Sequence, residues 1–308
     1  MQQLRETEKG VTKTMQRRVF VTGLTALAAV PGVCAAAADE APLRVTVSFD
    51  ALKEFVRALG GDKVTVTTLT PEDTEPHDFT PGIATMRQLK NADLFVVNGL
   101  GMEPWAEKTR AAADPHLQML SASDGFLPIA LTDGEKHGSA SDPHVWLSLT
   151  GALHEAGRIR AALAELRPAD AANFDARFAV FKKTLEDLAA SYGTRFKTAK
   201  RRVFVTSHAS FAYLCREFGL TQVSVEDTFA EGEPTIGKLT ALVKLCRKEG
   251  VKTIFTEAMV SPAVARTLAE EAGAKVKVIY TMETAEGGKT YAERMKANLE
   301  AIASALNE

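Results

Sequence analysis

The 308-residue chain is poor in cysteine, tryptophan and histidine, with three, two and six of each. Three cysteines are too few for a disulfide scaffold, so burial of apolar side chains must hold the fold. Neither sign of charge prevails: 37 basic residues face 39 acidic ones, for a net charge of −2. That balance excludes the basic footprint of a nucleic-acid-binding protein. There is no HExxH or other short histidine motif, no nucleophile motif, no low-complexity tract and no internal sequence repeat. What is present is 45% hydrophobic residues, enough for one large or two modest globular domains.

The N-terminus differs from the rest. In "MQRRVFVTGLTALAAVPGVCAAAADEAP", Arg17 and Arg18 precede an apolar run, and small residues follow through Ala38. That is the order of a secretory signal peptide. Pro31 and Gly32 break the run too early for a comfortable membrane span. Residues 1–38 are therefore expected to be a leader cleaved before Asp39, and the protein to be periplasmic or otherwise extracytoplasmic. "RRVF" also fits twin-arginine export. Val33 is too bulky before Cys34 for a typical lipid-anchor site. Met15 is an alternative start to Met1. Without residues 1–38, which carry five basic and two acidic residues, the net charge is −5. Cys215 and Cys246 remain, each in an amphipathic helical stretch, either as two buried thiols or as a disulfide.

Short β-branched runs alternate with helical patterns. Strand candidates are 43–48, 63–69, 93–98 and 126–131, then 201–207, 221–226, 251–257 and 274–281. Such alternation predicts parallel sheets covered by helices. Between the two sets, Phe174, Phe178, Phe181, Leu185 and Leu188 recur at helical spacing, with Pro168 near the start. The expected fold is α/β: two lobes, each with a four-stranded, mainly parallel sheet flanked by helices, joined by one long helix. The boundaries are 39–167 for the first lobe, 168–199 for the connecting helix and 200–308 for the second lobe.

In such folds ligands gather at the carboxyl ends of strands. His208 follows "VFVTS", Glu257 follows "TIFT", and Glu283 lies just after the last strand. His77 sits in the loop "TPEDTEPHDFTP" and His144 in "SDPHVW". Separations of 67 and 64 residues carry little information, and any one of these histidines could serve a structural hydrogen bond. His116, His137 and His154 read as surface or helix residues.

"EPHDFTPGIATMRQLKNADLFVVNGLGMEPW", "DPHVWLSL", "TSHASFAYLCREFGL" and "EGEPTIGKLTALVKLCRKEGVKTIFTE" occur in an order that resembles the zinc/manganese-specific solute-binding proteins of ABC importers. The resemblance runs from about residue 44 to 306. It implies a carrier rather than an enzyme, a monomer that delivers an ion to a membrane permease and its ATPase, and His77, His144 and His208 as metal ligands. Asp-Pro before His144 would stiffen its loop, with Val145, Trp146 and Leu147 as anchors. Three imidazoles favour a transition metal over Mg²⁺ or Ca²⁺. The manganese-type relatives carry a carboxylate where His208 stands, so Zn²⁺ is expected ahead of Mn²⁺. At the usual aspartate position the chain has Met282, with Glu283 beside it. Glu283 is the expected fourth ligand; Glu75 and water are the alternatives. A secreted zinc hydrolase with Glu257 or Glu283 as base, and a metal buffer or adhesin of the same fold, are the competing functions.

Overall fold

The computed structural model describes residues 41–72, 74–131, 139–229, 234–257 and 262–308. The expected leader, with Cys34, and His137 lie outside these residues. The described chain begins with strand β1 (Leu43–Val47), followed by helix α1 (Asp50–Gly60), β2 (Val64–Thr68), α2 (Ile83–Lys90), β3 (Leu94–Val97), α3 (Ala106–Ala113) and β4 (Met119–Ser121). Helices α4 (Leu149–Leu166) and α5 (Ala171–Lys197) follow. The second half comprises β5 (Val203–Thr206), α6 (Ala212–Phe218), β6 (Thr221–Ser224), α7 (Ile236–Glu249), β7 (Thr253–Thr256), α8 (Pro262–Ala272), β8 (Lys275–Val278) and α9 (Tyr291–Ala305).

Both sheets are parallel throughout and share one topology, β2-β1-β3-β4 and β6-β5-β7-β8. The repeat absent from the sequence is therefore present in the fold. Burial follows position in the sheet. The interior strands β3, "LFVV", and β7, "TIFT", are buried at every residue, whereas the edge strand β2 alternates. Helices cover both faces of interior parallel strands, so such strands read as continuous apolar runs.

One strand differs from expectation. The fourth strand of the first sheet is Met119–Ser121, not 126–131. Three residues are too few to display a periodicity. The segment 126–131 instead turns back on 139–142: Leu131 N–H donates to Ala140 O at 3.0 Å and Asp142 N–H to Ile129 O at 2.9 Å. Pro128, which has no N–H to give, sits in that segment.

The long helix α5 buries Phe174, Phe181 and Leu185, while Phe178 and Leu188 pack at the margin of the same stripe. Its core is common to both halves of the chain. Val47, Phe55 and Trp146 belong to one apolar cluster with Phe196, Phe204, Phe255 and Leu299. Helix α9 packs on α5 and α1. There Tyr291 meets Phe55 at 4.7 Å between ring centroids. Cys215 and Cys246 are free and buried on α6 and α7, and burial pushes the Cys215 thiol up to about 12. Among the described residues no helix is long and apolar enough to cross a membrane.

A buried ion pair fastens α9 to α1. Arg294, 1% exposed, donates to Asp50 Oδ2 at 2.7 Å and to Thr284 O at 2.9 Å. Lys53 lies 3.3 Å from the same aspartate. Removing one member of a buried pair strands the other. With Lys53 still present, Arg294→Met is expected to cost about 3 kcal/mol, the lower end for such a loss. Urea unfolding of the metal-free protein measures this, and a cost below about 1 kcal/mol would mean that Lys53 suffices for Asp50.

Candidate metal centre

Four side chains from four distant segments meet beside the carboxyl ends of the strands. One ligand-type atom from each of His77, His144, His208 and Glu283 lies within 4.8 Å of all the others. His144 Nε2 is 3.2 Å from His77 Nε2 and 3.3 Å from His208 Nε2. Glu283 Oε1 is 3.5 Å from Nε2 of both His77 and His144. All four side chains are at most 4% exposed.

Each is positioned by local chemistry. His77 sits in a 3-10 turn, Pro76–Asp78, whose first residue is a proline with its φ already set. His144 follows Asp142-Pro143, and the Asp142 carboxylate accepts from both His144 N–H, at 2.8 Å, and His144 Nδ1, at 2.9 Å. The next three residues, Val145–Leu147, form a fully buried 3-10 turn. Trp146 Nε1 there donates to Thr281 O at 2.8 Å, two residues from Glu283. His208 lies two residues past the end of β5, in the loop that leads to α6. Its carbonyl accepts from Thr206 Oγ1 at 2.7 Å and Gln222 Nε2 at 2.8 Å. Its Nδ1 pairs with Glu257 Oε2 at 2.5 Å.

Glu283 owes its direction to its neighbour. Met282 is buried at φ 62°, a left-handed conformation uncommon for a residue with a side chain, and its N–H is held by Glu286 Oε2 at 3.0 Å. β8 has already ended at Val278, so no strand alternation fixes the direction of Glu283, which turns inward to the imidazoles.

Two carboxylates thus bind the Nδ1 side of two imidazoles and leave Nε2 facing the centre. This is how metal-binding histidines are commonly oriented. Burial disfavours charge on His208, but Glu257, Glu283 and Glu75 outweigh it and hold its pKa up at about 10. Burial depresses His77, whereas Asp142 raises His144 against burial. Burial also works against the Glu283 carboxylate, yet hydrogen bonds from His144 and His77 hold it well below the usual range. Glu75 is pushed up to about 9, first by burial and then by Glu283. The carboxylates around the imidazoles thus favour positive charge at the centre, which a metal ion would supply.

Residues 45–305 match the family described as zinc-uptake complex component A, periplasmic. The chain belongs to this family. It is 39% identical over 277 residues to a putative metal-binding protein of Treponema pallidum, covering 86% of this chain and 88% of that one. It is 33% identical over 282 residues to the high-affinity zinc uptake system protein ZnuA of Bacillus subtilis, covering 86% and 88%. The zinc-binding protein AdcA of Streptococcus pyogenes is 30% identical over 287 residues, but the match spans only 56% of its length. A crystal structure of a ZnuA deletion mutant with zinc bound superposes with a TM-score of 0.77 at 29% identity, covering 87% of this chain and 99% of that one. The laminin-binding protein of Streptococcus agalactiae, described as an adhesin with metal-transporting activity, gives 0.78 at 30% identity, covering 86% and 99%. The two-lobed α/β fold expected from the sequence is thus shared with zinc-binding members of the family.

The other two described histidines stand apart from the cluster. His116 is exposed, and His154 on α4 is tied to Asp124 O at 2.8 Å. Glu257, expected at a strand end where ligands gather or as the base of a hydrolase, instead holds His208 Nδ1. Its tie to His208 arises because β5 and β7 are neighbours in the sheet, although the two residues are 49 apart in sequence.

Gly151 in the first turn of α4 allows the His144 turn to pack closely. A Cβ there would lie 2.1 Å from Val145 O. Gly151→Ala is expected to cost about 1–3 kcal/mol. Gly157→Ala on the same helix, where the nearest atom is 3.6 Å away, should be neutral or slightly stabilising. Equal melting temperatures for the two variants would refute the close-packing account.

Proposed function

We propose that His77, His144, His208 and Glu283 together hold one Zn²⁺ ion, and that the chain binds zinc outside the cytoplasm as the solute-binding component of an ABC importer. Zinc is the cargo. A monomer hands it to a membrane permease driven by its ATPase, and membership of the zinc-uptake family supports that role.

The spacing of the ligand atoms is the observation that carries this reading. In a tetrahedron with metal–ligand distances of about 2.0–2.1 Å, the ligands lie about 3.3–3.4 Å apart. Four of the six separations, 3.2, 3.3, 3.5 and 3.5 Å, bracket that value, and all six lie within 4.8 Å. Three nitrogens and one oxygen also suit zinc better than the oxygen-seeking cations. The hydrolase reading is not favoured, because Glu257 is engaged with His208 Nδ1 and the family is one of solute-binding proteins.

Zinc that binds only the native state adds about 4 kcal/mol at a thousandfold excess over Kd. His77→Ala, His144→Ala and His208→Ala should each abolish most of the resulting rise in melting temperature. His116→Ala and His154→Ala should retain it. Glu283→Gln should weaken zinc clearly in competition with a chelator, whereas Glu75→Gln should not. Indistinguishable thermal shifts across all the histidine variants would overturn the site.

The route out of the cytoplasm is proposed to be the cleavable leader of residues 1–38. Sequencing the N-terminus of exported protein should find Asp39 first. A lipid-modified Cys34 would refute this.

A further inference from the structure

One aromatic side chain at the centre has no ligand atom of its own. Phe229 is 6% exposed, and its ring centroid lies 5.4 Å from that of His77, with the planes at 81°. The other two rings against His77 are His144 and His208. Among the described residues Phe229 is therefore the only non-histidine ring on this imidazole. It belongs to the half of the chain that carries His208, and its loop is fastened to the His208 loop. Glu226 N–H donates to Ser207 O at 2.7 Å, Ala209 N–H to Asp227 O at 3.1 Å, and Phe229 N–H to Asp227 Oδ1 at 3.1 Å. Thr228 beside it is buried.

His77 stands on a loop whose neighbours Glu72, Asp78 and Thr80 are exposed, yet its side chain is only 4% exposed. Phe229 supplies cover that its own loop lacks. We propose that Phe229 is a specificity-determining residue that keeps the centre four-coordinate. The ring fixes the His77 imidazole and excludes water from its flank. Zn²⁺ is satisfied by four ligands. An ion such as Mn²⁺, which prefers six oxygen-type ligands, must recruit water and is rejected by a dry wall. An apolar shell also controls solvent access to a metal and slows its exchange.

This inference rests on His77 being a ligand, and the test separates the two. Wild type, Phe229→Ala, Phe229→Leu and His77→Ala are loaded with Co²⁺, whose visible absorption is strong when four-coordinate and weak when six-coordinate. The rate of zinc loss to a chelator and the Zn²⁺/Mn²⁺ affinity ratio are measured alongside. Phe229→Ala should weaken the visible bands, speed zinc loss about tenfold and lower the ratio by a similar factor. Phe229→Leu, which retains apolar bulk without the ring, should fall between alanine and wild type; it also serves alone if the alanine variant does not fold. Wild-type spectra, rates and ratios in the folded Phe229 variants, with metal lost in His77→Ala, would overturn the inference and leave the site intact. Wild-type metal binding by His77→Ala would overturn the site reading itself.

Discussion

Three imidazole nitrogens and a carboxylate oxygen, drawn from loops up to 206 residues apart, converge within 4.8 Å. The rest of the structure answers to that constraint. No short motif can achieve it, because each ligand is delivered by a different element. Parallel sheets deliver them by bringing strand ends, and the loops that follow, to one edge. Two sheets of identical order present two such edges, and the cluster takes His77 and His144 from the first half and His208 and Glu283 from the second.

Convergence is maintained by ties that cross between the halves at the backbone of the ligand loops. Tyr213 on α6 donates from its hydroxyl to Asp142 O at 2.6 Å and accepts from Ile129 N–H at 3.2 Å. Glu217, one turn further along α6, accepts from Leu149 N–H at 2.9 Å, at the start of the helix that follows the His144 turn. From the other side, Trp146 reaches Thr281 O and Tyr291 caps Trp146 O at 2.7 Å. Each such bond is worth only about 1 kcal/mol net. Together they fix the His144 turn relative to both His208 and Glu283. The shared apolar core under α5 and α9 serves the same end, since two independent cores would leave the halves free to shift.

The fold was legible wherever burial leaves a pattern in the sequence. The interior strands, the five-residue stripe of α5 and the stop at Gly273, which has φ +67°, can all be read from residue spacing. β4 was not legible, because three residues carry no periodicity and the richer apolar run at 126–131 drew attention away. At the site the histidines were legible only through their motifs, not their spacing. Two features needed the fold. Glu257 reaches His208 through strand adjacency, and Met282 turns Glu283 inward through a backbone angle that no residue preference announces.

Glu283, proposed as the fourth ligand, and Glu75 differ in geometry and in electrostatics. Glu283 Oε1 faces two imidazole nitrogens at 3.5 Å. Glu75 is not among the four residues whose ligand-type atoms lie within 4.8 Å of one another. The imidazoles stabilise charge on Glu283, whose proximity, added to burial, pushes Glu75 up to about 9. The proposed centre thus sets one carboxylate oxygen beside three imidazole nitrogens.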